Sequence, residues 1–282
     1  MKTLRSLVLV TLGPSLLVFA QPAWAADAEA GPWQWTLTPY LWLPTINSKL
    51  RFEFPADDPA GGSFVEGEIG PSDYLTDLHG ALMLAAELRH DEWAFFGDLI
   101  WLDLTTDTST VRTVTGDGGS ITIPRETNLN TEIDLSGVIV NLVASRVLSG
   151  DESWRVEALG GVRYLTIDAD LDWELTSAIT GPGFTFASEG MLSGDSDLWD
   201  AVVGLRGRWE FGTGGHWYVP WYVDVGTGSA DLTWQAMAGV GYTFTRTSIL
   251  GIWRHLDYDM DDDDLLREIS FGGPGIGISW RF

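Results

Sequence analysis

The 282-residue chain carries 40 acidic against 16 basic residues, a formal net charge of −24, and no cysteine. That balance argues against nucleic acid as a partner, and the missing thiols exclude disulfides, thiolate nucleophiles and Cys-ligated zinc. Fifteen Trp alongside 33 Gly are unusual for a soluble domain of this size and suit a sheet protein with aromatic girdles and Gly-rich turns.

Lys2 and Arg5 precede an apolar run from Leu7 to about Ala20, and Ala23-Trp24-Ala25 supplies a small-x-small cleavage site. Residues 1–25 therefore read as a secretory signal peptide, with 26–282 as one domain. The apolar run is shorter than the roughly 18–20 residues needed to span a bilayer as a helix. Membrane residence then has to come from strands.

From Trp33 to Pro44 the chain alternates: Trp33, Trp35, Leu37, Pro39, Leu41 and Leu43 share one face, with Gln34, Thr36, Thr38, Tyr40 and Trp42 on the other. A polar excursion over 45–79 precedes a strand over 80–89 that puts Glu87 and Arg89 on one face, and a short turn leads to 93–104 with Asp98 on the wet face. A second excursion over 105–131 holds a hairpin around Gly116-Asp117-Gly118-Gly119. The strand over 133–148 predicts a bulge, because Asp134 and Asn141 have opposite parity. Residues 154–167 oppose Arg155, Glu157 and Arg163 to an apolar face.

A third excursion, 168–197, has its turn at Thr180-Gly181-Pro182-Gly183. The strand over 198–211 sets Asp200, Arg206, Arg208 and Glu210 against Trp199, Val203, Leu205, Trp209 and Phe211. Strands over 216–226 (Asp224 on the wet face), 232–244 (Gln235), 248–258 (Arg254) and 268–282 complete the series. Pro39 and Pro220 fall inside strands, where each removes a ladder donor, and predict bulges.

The last strand ends with Ile276, Ile278, Trp280 and Phe282 on its oily face and Arg281 on the other. Such a strand in a soluble protein leaves an aggregation-prone edge; in a closed barrel it pairs with the first. Lipid contact at mid-bilayer would cost roughly 2–4 kcal/mol for each Arg on the wet face, so that face is the lumen. Long connections alternate with short ones, giving an all-β fold: a transmembrane antiparallel up-and-down β-barrel of about ten strands with long external hairpin loops. Twelve strands is the alternative if one external hairpin enters the membrane.

Several segments together resemble a large, mostly uncharacterised group of Gram-negative outer-membrane β-barrel proteins. They are Leu37-Thr38-Pro39-Tyr40-Leu41-Trp42, the run Gly97 to Leu104, Gly160-Gly161-Val162-Arg163-Tyr164, Asp200 to Arg206, Leu232 to Ala236, Arg254 to Asp259, and Gly273-Pro274. The resemblance covers nearly the whole of 26–282 and implies an outer-membrane location, but no activity. In such barrels a terminal aromatic strand, here Ile276, Ile278, Trp280 and Phe282, resembles the insertion signal read by the barrel assembly machinery.

Three functional readings follow. The first is a non-enzymatic barrel with a plugged or narrow lumen. Glu87, Arg89, Asp98, Arg155, Glu157, Arg163, Asp200, Arg206, Arg208, Glu210, Asp224, Arg254 and Arg281 form its charge network, since charges in a narrow barrel need partners. The second is a narrow ion or small-solute channel. The third is an omptin-like hydrolase using His255 with Asp257 and Asp259, weakened because His255 has the parity of lipid-facing Trp253. No cofactor is expected, apart from weak Ca²⁺ binding by Asp257, Asp259, Asp261, Asp262, Asp263 and Asp264. Their spacing matches no EF-hand loop, although flexible oxygen clusters suit Ca²⁺ better than Mg²⁺. The expected surroundings are outer-membrane lipid and lipopolysaccharide.

Overall fold

A computed structural model describes residues 32–52, 63–75, 78–106, 110–116, 119–122, 130–177, 186–260 and 266–282. The signal-peptide reading of residues 1–25 and the run Asp261 to Asp264 lie outside the described residues.

The elements run β1 (Gln34–Trp42), β2 (Thr45–Phe52), β3 (Ser63–Ile69), a one-turn helix α1 (Pro71–Tyr74), β4 (Leu78–His90), β5 (Trp93–Thr106), β6 (Thr110–Gly116) and β7 (Gly119–Thr122). They continue with β8 (Asn130–Gly150), β9 (Trp154–Ser177), β10 (Phe186–Phe211), β11 (Trp217–Gly228), β12 (Leu232–Thr243), β13 (Thr247–Asp259) and β14 (Leu266–Arg281). Ten of these form a closed antiparallel ring in the order β1-β4-β5-β8-β9-β10-β11-β12-β13-β14, with β14 pairing back on β1. The ring has the expected ten strands. The expected pairing of β6 with β7 also forms, but β2, β3, β6 and β7 pair above the ring and do not enlarge it.

Ring height follows from the aromatics. On β10, Trp199 and Trp209 both face outward, and Tyr164 and Trp154 stand opposite them on β9. Ten positions at a rise of about 3.3 Å, tilted by about 40°, span about 25 Å, the height of an outer-membrane apolar band. Between these belts the outer surface is apolar and exposed, as at Val203, Leu205, Val162, Leu142, Ile276 and Ile278. The short turns carry the lower girdle: Trp154, Trp209, Phe211, Trp217 and Tyr242 run side by side, and Trp33 packs on His90.

None of the three expected bulges forms where the sequence places it. Neither Pro39 nor Pro220 makes a bulge: β1 keeps one register with β14 on both sides of the skipped pair Thr38–Pro39, and β11 does the same against β12 across Val219–Pro220. Each Pro instead interrupts pairing on one side, while on the other Pro39 pairs with Leu84 and Pro220 with Arg208. Nor does β8 bulge between Asp134 and Asn141; its one register shift lies at Val147/Ser149. Its 21 residues reach beyond the apolar band, so Asp134 faces outward without meeting hydrocarbon.

The sequence places the end of the first strand at Pro44, but the strand resumes. β14 pairs β2 in the same register that it uses for β1, and the interruption at Leu43–Pro44 lies opposite Gly273–Pro274. There Pro44 and Pro274 each remove a donor from their strand, while the Leu43 N–H still donates to the Pro274 carbonyl at 2.9 Å. On the other flank β4 leaves β1 after Pro39↔Leu84. The backbone N–H of Trp42 then donates to Met83 Sδ at 3.0 Å, and the segment bearing α1 lies nearby, with the Tyr74 hydroxyl donating to the Pro44 carbonyl at 2.9 Å.

Candidate functional site: the lumen

Period-two alternation sends one face of every ring strand into a lumen that is filled in three layers. At the periplasmic end, Glu157 is the hub. It accepts hydrogen bonds from Ser145 Oγ at 2.7 Å, Arg206 Nε at 2.6 Å and Arg89 Nη2 at 2.7 Å, and Arg155 Nε lies 3.0 Å away. Glu87 bridges Arg89 and Arg206 at 3.1 and 2.8 Å. Arg208 pairs with Glu210 at 2.8 Å, and its guanidinium carbon sits over the Tyr218 ring, 3.6 Å from its centroid.

The middle layer is buried. Arg163, fully buried, donates to Asn141 Oδ1 at 2.7 Å, Thr233 Oγ1 at 2.9 Å and Asp224 Oδ2 at 2.5 Å. Arg254 reaches Asp98 at 2.7 Å and Gln235 at 2.6 Å, and stacks over Trp42 with its guanidinium carbon 4.9 Å from the ring centre. The Tyr40 hydroxyl donates to Asp98 at 2.6 Å. Each guanidinium thus meets a carboxylate, as buried charges require, while Asp224 Oδ1 and Asn141 Nδ2 are buried with no hydrogen-bond partner among the described residues.

The external layer is apolar. Trp42, Tyr74, Met83, Ile100, Leu104, Leu165, Leu256, Tyr258 and Phe271 belong to one buried cluster. Most come from ring strands; Tyr74 comes from the loop after β3, where the α1 turn, opened by Pro71 and closed by the Gly70 N–H bonding Asp73, delivers it inward. Burial pushes the Tyr74 hydroxyl well above the usual phenol range.

Two of the thirteen residues assigned to a charge network stand outside these ion pairs. Asp200 is buried but accepts from the Ala230 backbone N–H at 2.9 Å, and Arg281 has no ion-pair partner among the described residues. Sequence reasoning missed Tyr40, Trp42 and Tyr74. Tyr40 and Trp42 carried the signal, since both have the parity of Thr36 and Thr38 on the wet face; nothing local marks Tyr74.

His255, Asp257 and Asp259 do not converge in the lumen. All three share the outward parity of Trp253 on β13. His255 packs on the Trp234 ring with centroids 4.8 Å apart, and its Nε2 lies 3.9 Å from Asp257 Oδ2. His90 and His216 sit among the lower-girdle aromatics, so no second imidazole joins His255 from them.

A closed sheet with a lipid-matched exterior and a packed interior defines an outer-membrane-type β-barrel. No family model matches the chain, and no curated protein does. Among solved structures it is similar to the outer membrane protease OmpT from Escherichia coli, at 7% identity and a TM-score of 0.51, covering 89% of this chain and 97% of that one. Neisserial surface protein A matches at 11% identity and a TM-score of 0.32, covering 90% and 99%. The Yersinia pestis attachment invasion locus protein Ail matches at 11% and 0.31, covering 89% and 98%. The OmpT likeness extends to the fold alone. With the lipid-facing belt, the fold places this chain in the Gram-negative outer membrane, crossed by ten strands.

Proposed function

We propose that the chain is a non-enzymatic outer-membrane barrel whose lumen is sealed, presenting acidic external segments to the lipopolysaccharide surface. One observation carries the reading: two buried guanidinium–carboxylate pairs, Arg163–Asp224 and Arg254–Asp98, lie beneath an apolar cluster containing Trp42, Tyr74 and Leu256. A conducting path would have to break buried pairs and wet an apolar layer together, each costing several kcal/mol.

The non-enzymatic part rests on the outward placement of His255 and Asp257 on β13. OmpT, the fold relative, is a protease, but at 7% identity it lends this chain no chemistry. The terminal face of Ile276, Ile278, Trp280 and Phe282 serves as the signal to the assembly machinery. Potassium release from loaded proteoliposomes tests the sealed lumen. Retention equal to that of protein-free vesicles supports it, and rapid release on reconstitution overturns it.

A further inference from the structure

The periplasmic end of the lumen holds a cavity of 210 Å³, and its walls are not charge-neutral. Six guanidinium groups line it, from Arg89, Arg155, Arg206, Arg208, Arg246 and Arg281, against the carboxylates of Glu87 and Glu157. Counting Glu210, which holds Arg208 from beside the cavity, three positive charges remain uncompensated in a chain whose net charge is −24.

The surplus is localised. Arg89 and Arg206 are occupied by Glu87 and Glu157. Arg155 shares Glu157 with both of them and keeps 37% of its side chain exposed. Arg246 and Arg281 make no ion pair among the described residues, and their backbones are joined by an Arg281 N–H to Arg246 carbonyl bond of 2.9 Å. Two guanidinium groups without an ion pair among the described residues therefore start from adjacent points at the mouth, in the Thr245-Arg246 turn and at the end of β14. Low-dielectric walls strengthen the field of such groups and concentrate counter-ions. Phe96, Tyr222 and Met237 add apolar wall on the inner side.

We propose that this vestibule binds a small phosphate-bearing anion, admitted from the periplasmic side and held by Arg155, Arg246 and Arg281. The volume lies below the roughly 300–1,000 Å³ of sites for drug-sized ligands, so the ligand is small. Both a free periplasmic anion and a phospholipid headgroup from the inner leaflet carry this chemistry. The site needs no open channel, so it stands or falls separately from the sealed lumen.

Calorimetric titration of the detergent-folded protein at low salt tests it, with inorganic pyrophosphate in one arm and dihexanoyl phosphatidylglycerol in the other. Binding of pyrophosphate assigns the free anion, and binding of the lipid alone assigns the headgroup. In either arm Arg246→Gln/Arg281→Gln, which strands no carboxylate, should weaken binding at least tenfold. Arg146→Gln, on the outer surface beside Glu92, should leave it unchanged. Retained heat-dependent gel mobility verifies that both variants are folded. No binding in either arm, or undiminished binding by the folded double variant, overturns the site.

Discussion

Arg163 and Asp224 lie 61 positions apart in sequence and meet in the middle of the lumen, Nη2 to Oδ2 at 2.5 Å, with neither side chain open to solvent. Removing one partner leaves a buried charge without compensation, whereas removing both removes the problem. Arg163→Leu is expected to cost about 3–5 kcal/mol, and Arg163→Leu/Asp224→Leu distinctly less. Val203→Ala, at a lipid-facing position, should fall below both. Urea unfolding in detergent ranks the three, and a double variant as unstable as the single one contradicts the pairing.

On the outer wall Trp221 covers Gly207, where an added Cβ would lie 2.5 Å from the indole ring and 2.6 Å from the Arg155 carbonyl. Gly207→Val should therefore cost about 1–3 kcal/mol through overpacking. Gly160, whose nearest neighbour to such an atom is the Val202 carbonyl at 3.7 Å, should accept Ala with little change. Equal urea midpoints for the two variants would remove the close packing of Trp221.

Pairing of β11 with β12 skips Val219 and Pro220 without a shift of register. Restoring a backbone N–H by Pro220→Ala should add a ladder hydrogen bond, with a net gain of about 0.5–1.5 kcal/mol. The readout is a higher thermal midpoint, together with a new slowly exchanging amide at position 220. A lowered midpoint would mean that the ring needs the Pro.

In the turn between β8 and β9, the Asp151 carboxylate accepts from Ser153 Oγ and N–H at 2.7 Å each and from the Trp154 N–H at 3.2 Å. The hydrogen bonds from Ser153 lead in holding its pKa below the ordinary value. A depressed folded-state pKa gives stability that is present in full above the unfolded value, about 3.9, and is lost as pH falls through the folded one. The stability difference between wild type and Asp151→Asn should stay constant from pH 8 to 5 and shrink at lower pH. A difference that persists unchanged to pH 2 would mean that the charge has no role in the turn.

The ring was legible because alternation is enforced twice, by hydrocarbon outside and by a narrow interior. Arg206, Arg208 and Glu210 had to share a face opposite Val203, Leu205 and Trp209, whatever the loops do. Partners were not legible: Arg89 meets Glu157 across 68 positions, and strand parity says which face a charge occupies but not which neighbour it finds. Strand ends were also hidden where strands outrun the membrane. The polar excursion over 168–197 holds the continuation of β9 and β10, which run to Ser177 and from Phe186, because the lipid constraint on alternation ends there. The external apolar layer was obscured by Trp42, whose size suggests a girdle while its parity points inward, and by Tyr74, delivered by a single helical turn.

The sealed lumen is tested most directly by planar-bilayer recording of the purified, folded protein in symmetric 1 M KCl. Blockage at Arg163–Asp224, Arg254–Asp98 and the Trp42 cluster predicts a current indistinguishable from that of the bare bilayer at moderate voltage. Reproducible unitary conductance steps from the wild-type chain would contradict it.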